Sequence, residues 1–122
     1  MTEKISSLHK KYAVQLTEYF SGKRKSFDPP PDLDGTAFQK AVWKAVAKIP
    51  YGKTISYKDL ARLAGKPRAI RATANAVGDN PIPIIIPCHR VIRHNGSLGG
   101  YALGVKKKSW LLRHERKNLK IL

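Results

Sequence analysis

Two short helical segments, separated by a turn that contains a glycine, constrain the fold of this chain more than any other feature. Ser56-x-x-Asp59 has the form of a capping box, in which a serine side chain caps the first turn of a helix. The sequence therefore predicts a helix over residues 57–64 that ends at the following glycine. Pro67 suits the first position of a second helix, over residues 67–77. Two short helices joined in this way are typical of a helix-turn-helix.

Three further helices are predicted from apolar residues that recur at helical spacing. They cover residues 8–20, residues 37–49 with Thr36 as the N-cap, and residues 106 to about 117. The run Pro29-Pro30-Pro31 cannot be helical and predicts an extended connector. We therefore expect a short N-terminal helix with its proline-rich connector over residues 1–34, followed by one domain over residues 35–122.

The remaining segments carry strand and turn signals. The apolar, β-branched run at residues 82–86 predicts a buried strand. Residues 91–93 and 97–98 flank His94-Asn95-Gly96, in which Asn-Gly is a strong signal for a β-hairpin. A hairpin that follows a helix-turn-helix is a wing. The predicted fold class is therefore mostly α with a short β wing: a winged helix-turn-helix domain preceded by an abbreviated N-terminal helical segment.

The charge of the chain is strongly positive and unevenly distributed. The 122 residues include 24 Lys and Arg against 8 Asp and Glu, a net charge of +16. Residues 1–34 carry six basic and five acidic side chains, which leaves 18 basic and three acidic ones in residues 35–122, a net charge of +15 there. A lysine-rich solvated surface is one explanation, but such surfaces usually balance Lys with Glu. We therefore favour a nucleic-acid partner over a membrane surface.

Other features bear on where the protein acts. No apolar run reaches the roughly 18 residues of a membrane span, and the first residues lack the apolar stretch of a secretory signal. One cysteine cannot form an internal disulfide and suits a reducing compartment. We expect a cytoplasmic or nucleoid-associated, monomeric protein that uses no cofactor.

The second helix of the helix-turn-helix has two unlike faces. Ile70, Ala74 and Val77 share one side, which we expect to be core. The other side combines arginine with small residues, which permit close approach to a narrow groove. Its members are Arg68, Arg71, Ala72 and Asn75, flanked by Ala69 and Ala76. An ordinary alanine-rich helix is the alternative; beside the charge asymmetry, we favour contact with DNA.

Cys88 is the only thiol of the chain, and His89 follows it directly. A free thiol titrates at about 8.5, so an imidazole that accepts its proton would help it to react. Neighbouring side chains of an extended strand point to opposite faces, so contact between the two needs a sharp turn after Pro87 or a bridging water. On its own, such a pair is more often structural than catalytic.

Glu115 is one of three acidic residues in the basic part of the chain, and helical spacing places it on the same face as Leu111 and Leu112. A carboxylate on an apolar face needs a partner. An imidazole is one candidate, because the carboxylate would fix its tautomer and stabilise its cation. Pairing with Arg113 or Lys117 at a partly exposed position is the other, and periodicity alone slightly favours it.

These residues belong to a longer pattern. Pro87-Cys88-His89-Arg90-Val91-Ile92 resembles the active-site motif of the O6-alkylguanine-DNA alkyltransferases, also called methylated-DNA–protein-cysteine methyltransferases. The resemblance runs from about residue 33 to the C-terminus. Its other elements are Tyr51-Gly52-Lys53-Thr54-Ile55-Ser56-Tyr57, the helix of Arg71, Asn80-Pro81-Ile82-Pro83, Gly99-Gly100-Tyr101 and Trp110-Leu111-Leu112-Arg113-His114-Glu115.

The resemblance implies repair of DNA by direct, irreversible transfer of an alkyl group from O6-alkylguanine to Cys88. The family binds duplex DNA through a helix-turn-helix in the minor groove and flips the modified base into a pocket. The thioether product is stable, so each molecule acts once. O4-alkylthymine is a further candidate substrate.

The resemblance also assigns roles to individual residues. Cys88 would be the acceptor, His89 its water-linked base, and Glu115 the group that orients His89. Asn80 would brace the active-site turn, and Arg71 would fill the space that the flipped base leaves. The base pocket is expected to include Tyr57, Pro83, Val91, Tyr101, Ala102 and Leu103. Contacts with DNA are expected from Arg68, Arg71, Ala72, Asn75 and Arg90.

Two departures from the family pattern matter. The family usually carries a larger N-terminal α/β domain, of which residues 1–34 would be a remnant. In some members that domain holds a structural zinc; one cysteine cannot supply such a site, so we expect no metal. Many relatives have glycine at the position of Leu103, so we expect this side chain beside the alkyl group, where it would disfavour bulky substrates.

Three other functions fit part of the pattern. Alkyltransferase-like proteins bind lesions without chemistry, but they replace the reactive cysteine that is present here. A winged-helix transcription regulator would explain the charge and the helices, but not Cys88, His89 and the Gly-Gly-Tyr loop together. A cysteine hydrolase would leave the net charge of +15 unexplained.

Overall fold

The computed structural model describes residue 10, residues 12–30 and residues 32–119 of the chain. Within them lie five α-helices and a small two-stranded sheet, so the predicted mostly helical class is confirmed. In chain order these elements are α1 (Ala13–Phe20), α2 (Ala37–Ala47), β1 (Ile55–Ser56), α3 (Tyr57–Leu63), α4 (Ile70–Gly78), β2 (Val91–Ile92) and α5 (Val105–Leu119), with a 3-10 turn at Cys88–Arg90 directly before β2.

Helix α2 carries a large part of the core. Its N-cap is Thr36, as predicted, and a reciprocal capping box joins Thr36 to Gln39: the backbone of each residue donates to the side chain of the other, at 2.9 and 3.0 Å. The buried face of α2 packs against α4, and Nε1 of Trp43 donates to the carbonyl oxygen of Ala76 at 2.8 Å. This bond satisfies a polar atom inside the core and holds α4 in place.

Helices α3 and α4 form the predicted helix-turn-helix, with two differences in α4. The side chain of Ser56 caps α3, because it accepts from the backbone N–H of Asp59 at 3.0 Å. Helix α4 begins at Ile70 rather than at Pro67, since residues 66–69 first close a hydrogen-bonded turn. The buried residues of α4 are Thr73, Ala76 and Val77. The prediction that Ile70 belongs to the core is wrong: this residue is 40% exposed, because α4 packs against α2 through a different face.

Residues 82–86 are largely buried, as predicted, but they do not form a strand. The chain turns here: Ile84 has a φ of +78°, and Ile86 N donates to Ile82 O at 3.1 Å. Asn80 closes this turn from one side, because its Nδ2 donates to the carbonyl of Ile86 at 2.8 Å and its Oδ1 accepts from the N–H of Ile82 at 2.9 Å. The turn leads the next residues, which include the thiol, into the interior instead of continuing an extended path.

The predicted hairpin forms only its closing bond, from the N–H of Arg93 to the carbonyl of Ser97 at 2.9 Å, and the predicted antiparallel strands are wrong. Within the described residues, β2 pairs in parallel with β1, with Ile55 opposite Val91. The turn at residues 94–96 is present, but no strand follows it in this part of the chain. The carbonyl of Val91, which would accept from the other strand of a longer hairpin, accepts instead from the buried side chain of Lys108 at 2.7 Å.

The described residues of the N-terminal part pack into the same core as the rest of the chain. Tyr12 and Leu33 belong to the main hydrophobic cluster. Tyr19 forms a second cluster with Tyr51 and Leu111. Side chains from both sides of the proline-rich connector are therefore buried against one another.

The last helix differs from its prediction by a few residues, and part of the first predicted helix lies outside the described residues. Where the sequence predicts a helix over residues 8–20, the structure has Ala13–Phe20, and residues 8, 9 and 11 of that prediction lie outside the described residues. Helix α5 extends slightly beyond the predicted residues 106–117 at both ends. Its buried side chains are Lys108, Leu111 and Glu115. In the part of the chain that the structure describes, no helix has the length and apolar character that crossing a membrane requires.

Candidate active site

The single thiol lies beside a cleft next to α4. Cys88 is the first residue of the 3-10 turn, and it is 4% exposed. The cleft has a volume of about 980 Å³, and its walls come from the start of α3, from α4, from residues 93–95 and from residues 99–102. A cleft of this size can receive a small organic group such as a nucleobase.

The environment of Cys88 keeps its thiol protonated. Burial raises the pKa of Cys88 above its ordinary value, and the hydrogen bond from Asn80 and the positive charge of Lys108 offset only part of this effect. A nucleophilic reaction of this thiol at neutral pH therefore needs a base that takes the proton.

His89 follows Cys88 in the chain and carries an imidazole, a group that can act as a base. The ring is fully buried, and its Nε2 lies 2.7 Å from Oε2 of Glu115. Burial lowers the pKa of His89 even though Glu115 favours the cation, so the ring is neutral at neutral pH. Because an ionised carboxylate can only accept, the proton of the neutral ring sits on Nε2, and Nδ1 carries the free lone pair. Among the described residues Nδ1 has no hydrogen-bond partner, so it is able to accept a proton.

Glu115 is a fully buried carboxylate with donors on both oxygens. Besides His89, they are Tyr19 Oη to Oε2 at 2.6 Å, Gly52 N to Oε1 at 3.2 Å, Arg90 Nε to Oε1 at 2.8 Å and Arg90 Nη2 to Oε2 at 2.9 Å. Burial alone would raise the pKa of this carboxyl, but the hydrogen bonds from His89 and Arg90 hold it well below its usual range. Of the two kinds of partner expected for Glu115, the structure thus contains the imidazole.

The prediction that Arg90 contacts DNA is wrong. Its guanidinium is buried, forms a bidentate pair with Glu115, and donates through Nη1 to the carbonyl of Ile49 at 2.6 Å. The physical reason is that a carboxylate without access to water needs a countercharge, and the tight turn brings this arginine to it. In the sequence, Arg90 is one of 24 basic residues, and only its place inside the motif could have singled it out.

Lys108 is a second buried cation that the sequence reasoning missed. Its Nζ donates to the carbonyl oxygens of Val91 at 2.7 Å, of Leu98, and of Gly100 at 3.1 Å. Burial lowers the pKa of Lys108 to about 8. The side chain thereby ties β2 to the loop that lines the cleft. Helical spacing could have indicated that Lys108 is buried, since it stands three residues before Leu111 on the buried face of α5.

Only half of the predicted base-pocket residues line the cleft; they are Tyr57, Tyr101 and Ala102. Pro83 and Val91 do not line it, because both are buried in the interior. The structure also contradicts the expected position of Leu103. This residue is 42% exposed and does not line the cleft, because the turn that Gly104 closes with Tyr101 directs it outward.

The predicted DNA-contacting residues of the helix-turn-helix are all exposed; they are Arg68, Arg71, Ala72 and Asn75. Arg71 and Asn75 line the cleft itself. Three basic or ionisable residues that the sequence reasoning did not single out line it as well, namely Lys58, Arg93 and His94. Basic side chains therefore line the opening that leads to the thiol.

Fold and site together define a class of protein: a basic helix-turn-helix protein that keeps its one thiol at a cleft beside its second helix and a buried imidazole at the next residue. The chain belongs to the 6-O-methylguanine DNA methyltransferase family, whose DNA-binding domain matches residues 37–117.

Individual relatives agree with this assignment. The chain is 56% identical over 108 residues to the methylated-DNA–protein-cysteine methyltransferase of Methanosarcina barkeri. The alignment covers 88% of this chain and 68% of that protein. It is 52% identical over 106 residues to the inducible methylated-DNA–protein-cysteine methyltransferase of Bacillus subtilis. That alignment covers 87% of this chain and 59% of the relative. The chain thus spans about three fifths to two thirds of the length of these relatives.

A solved structure shares the fold. The crystal structure of Mycobacterium tuberculosis OGT in complex with DNA superposes with a TM-score of 0.83 at 49% sequence identity, and the match covers 87% of this chain and 66% of that one. A similar protein has therefore been crystallised on DNA.

Proposed function

We propose that this protein repairs DNA by moving an alkyl group from O6 of a modified guanine to Sγ of Cys88. The observation that carries the proposal is the buried thiol beside the cleft, next in the chain to a neutral imidazole with a free Nδ1. The names of the relatives point to the same chemistry.

The reaction balances with groups of the site and one bridging water. Sγ of Cys88 forms a bond to the alkyl carbon while the bond from that carbon to O6 breaks, and the thiol proton passes through the water to Nδ1 of His89. The electron pair stays on the base, which takes up the proton and leaves as unmodified guanine. Burial raises the pKa of Tyr57, so its phenol stays protonated and can donate a hydrogen bond to the departing base. The S-alkyl cysteine that remains is a stable thioether, so each molecule reacts once.

Binding to duplex DNA is the second part of the proposal. The exposed face of α4 would enter the minor groove, where its small residues permit close approach. The lesion has to leave the base stack to reach Cys88, which costs a few kcal/mol. Arg71 belongs to this face and lines the cleft, which supports the proposal that its side chain fills the gap in the stack.

The proposal is tested by weighing the intact protein after incubation with a duplex that contains one O6-methylguanine. We expect the mass of one methyl group to be added, on Cys88, with no turnover. Cys88→Ser, which removes the nucleophile and keeps the shape of the turn, should bind the same duplex and gain no mass. Several product molecules per protein, or a methyl group on another residue, would contradict the proposal. Binding without any gain of mass would instead indicate a lesion-binding protein without transfer activity.

A further inference from the structure

The mechanism above makes no use of Tyr19, a residue of α1 that is far from the active-site motif in sequence. Tyr19 is fully buried, and its hydroxyl donates to Oε2 of Glu115 at 2.6 Å. The same oxygen accepts from Nε2 of His89 at 2.7 Å and from Nη2 of Arg90 at 2.9 Å. Three donors therefore compete for one carboxylate oxygen.

Helix α5 contacts Tyr19 at two points, the hydroxyl through Glu115 and the backbone carbonyl through His114. Nε2 of His114 lies 2.8 Å from the carbonyl oxygen of Tyr19, at the end of α1. The ring of Tyr19 packs against those of Phe27 and Tyr51, with centroid distances of 5.7 and 6.1 Å. Burial raises the pKa of Tyr19, with a further contribution from Glu115, so the hydroxyl remains a donor throughout the working pH range.

We propose that Tyr19 is a positioning residue for the transfer reaction: its hydroxyl occupies Oε2 of Glu115 and so limits how strongly this carboxylate binds the imidazole of His89. The inference rests on the function proposed above and adds a residue of α1 to the active site. Without the third donor, Oε2 carries more negative charge and binds the imidazolium form of His89 more tightly. Tyr19 thus keeps the imidazole neutral and ready to take the thiol proton.

A change at Tyr19 should therefore alter the pH dependence of the reaction. If the hydroxyl is removed, the pKa of His89 rises, and the acidic limb of the pH–rate profile moves to higher pH by roughly half a unit to one unit. The other titratable or charged groups that face His89 stay in place. They are Glu115 and Lys108 from α5, Cys88 and Arg90 from the 3-10 turn, and the phenol of Tyr101.

The variant is Tyr19→Phe, which keeps the ring in its cluster and removes only the hydroxyl. Tyr51→Phe is the matched control, because the Tyr51 ring packs in the same cluster and its buried hydroxyl has no partner among the described residues. Single-turnover rates of methyl transfer from an O6-methylguanine duplex would be measured from pH 5 to pH 9 for both variants and the wild type. An NMR titration of the His89 ring in the DNA-free protein gives the pKa without the reaction.

We expect both the acidic limb and the NMR titration of Tyr19→Phe to move to higher pH, while Tyr51→Phe follows the wild type. A Tyr19→Phe protein with the wild-type limb and the wild-type His89 titration overturns the inference and leaves the proposed function intact. A rate lowered equally at every pH, with an unshifted titration, also overturns it, since that result indicates a purely structural role. If the wild type transfers no methyl group, the proposed function fails, and the NMR titration still tests the effect of Tyr19 on His89.

Discussion

Substitution of Arg90 distinguishes two roles for this residue. If Arg90 is the buried countercharge of Glu115, its loss lowers the stability of the fold; if it contacts DNA, its loss lowers DNA affinity instead. In Arg90→Met the side-chain volume is roughly kept, but Glu115 loses its bidentate partner in a place that is closed to water. Breaking a buried ion pair by removing one partner costs about 3–5 kcal/mol. Screening by solvent is small here, since Arg90 is 5% exposed and Glu115 is 0% exposed. For a domain of this size the expected fall in the midpoint of thermal unfolding is on the order of 10–25 °C.

The measurement is urea unfolding at pH 7, followed by far-UV circular dichroism, together with DNA affinity at one salt concentration. Arg90→Lys keeps the positive charge but loses the bidentate geometry of the guanidinium, so it should lose less stability than Arg90→Met. Arg68→Met is the control from the exposed face of the helix-turn-helix. It should leave the free energy of unfolding nearly unchanged and weaken DNA binding.

The stability that Arg90→Met loses depends on pH, and the lowered pKa of Glu115 gives the direction of this dependence. The pKa of Glu115 is lowered in the folded protein, so its ionised form contributes stability that is present above its unfolded pKa, about 4.3, and is lost as the pH falls further. Without Arg90 the folded pKa of Glu115 is higher, so the difference between wild type and Arg90→Met should be largest near neutral pH and shrink below about pH 4. An Arg90→Met protein of wild-type stability that binds DNA weakly would refute the reasoning.

Two further predictions concern the cleft. Arg71→Ala should slow repair of a methylated duplex much more than reaction with the free base O6-methylguanine, because the free base needs no unstacking. Equal losses of the single-turnover rate with both substrates would show that Arg71 does not fill the gap left by the flipped base. Leu103→Gly should leave the ratio of benzyl to methyl transfer rates unchanged, because the leucine lies outside the cleft. A rise of tenfold or more in that ratio, which corresponds to about 1.4 kcal/mol of barrier, would show that the loop brings Leu103 onto the substrate.

Much of the local structure was predictable because it depends on neighbours in sequence. Thr36 caps α2 and Ser56 caps α3 through bonds to backbone groups three residues away, so the residue types alone indicate where these helices begin. The segment at 82–86 shows the limit of this reasoning. Its apolar character predicts burial correctly, but the turn depends on bonds to the side chain of Asn80, and periodicity does not contain that information.

The sequence by itself determined the helix-turn-helix, the concentration of positive charge after residue 34, and the single thiol in a recognisable motif. Only the tertiary structure decided which groups surround Glu115. Tyr19 lies 96 residues away from it along the chain and Arg90 lies 25 residues away, yet both donate to its carboxylate. The physical reason is that a buried charge is stable only when its partners are brought to it in space, and helical spacing can indicate that Glu115 faces inward without showing which side chains it meets there.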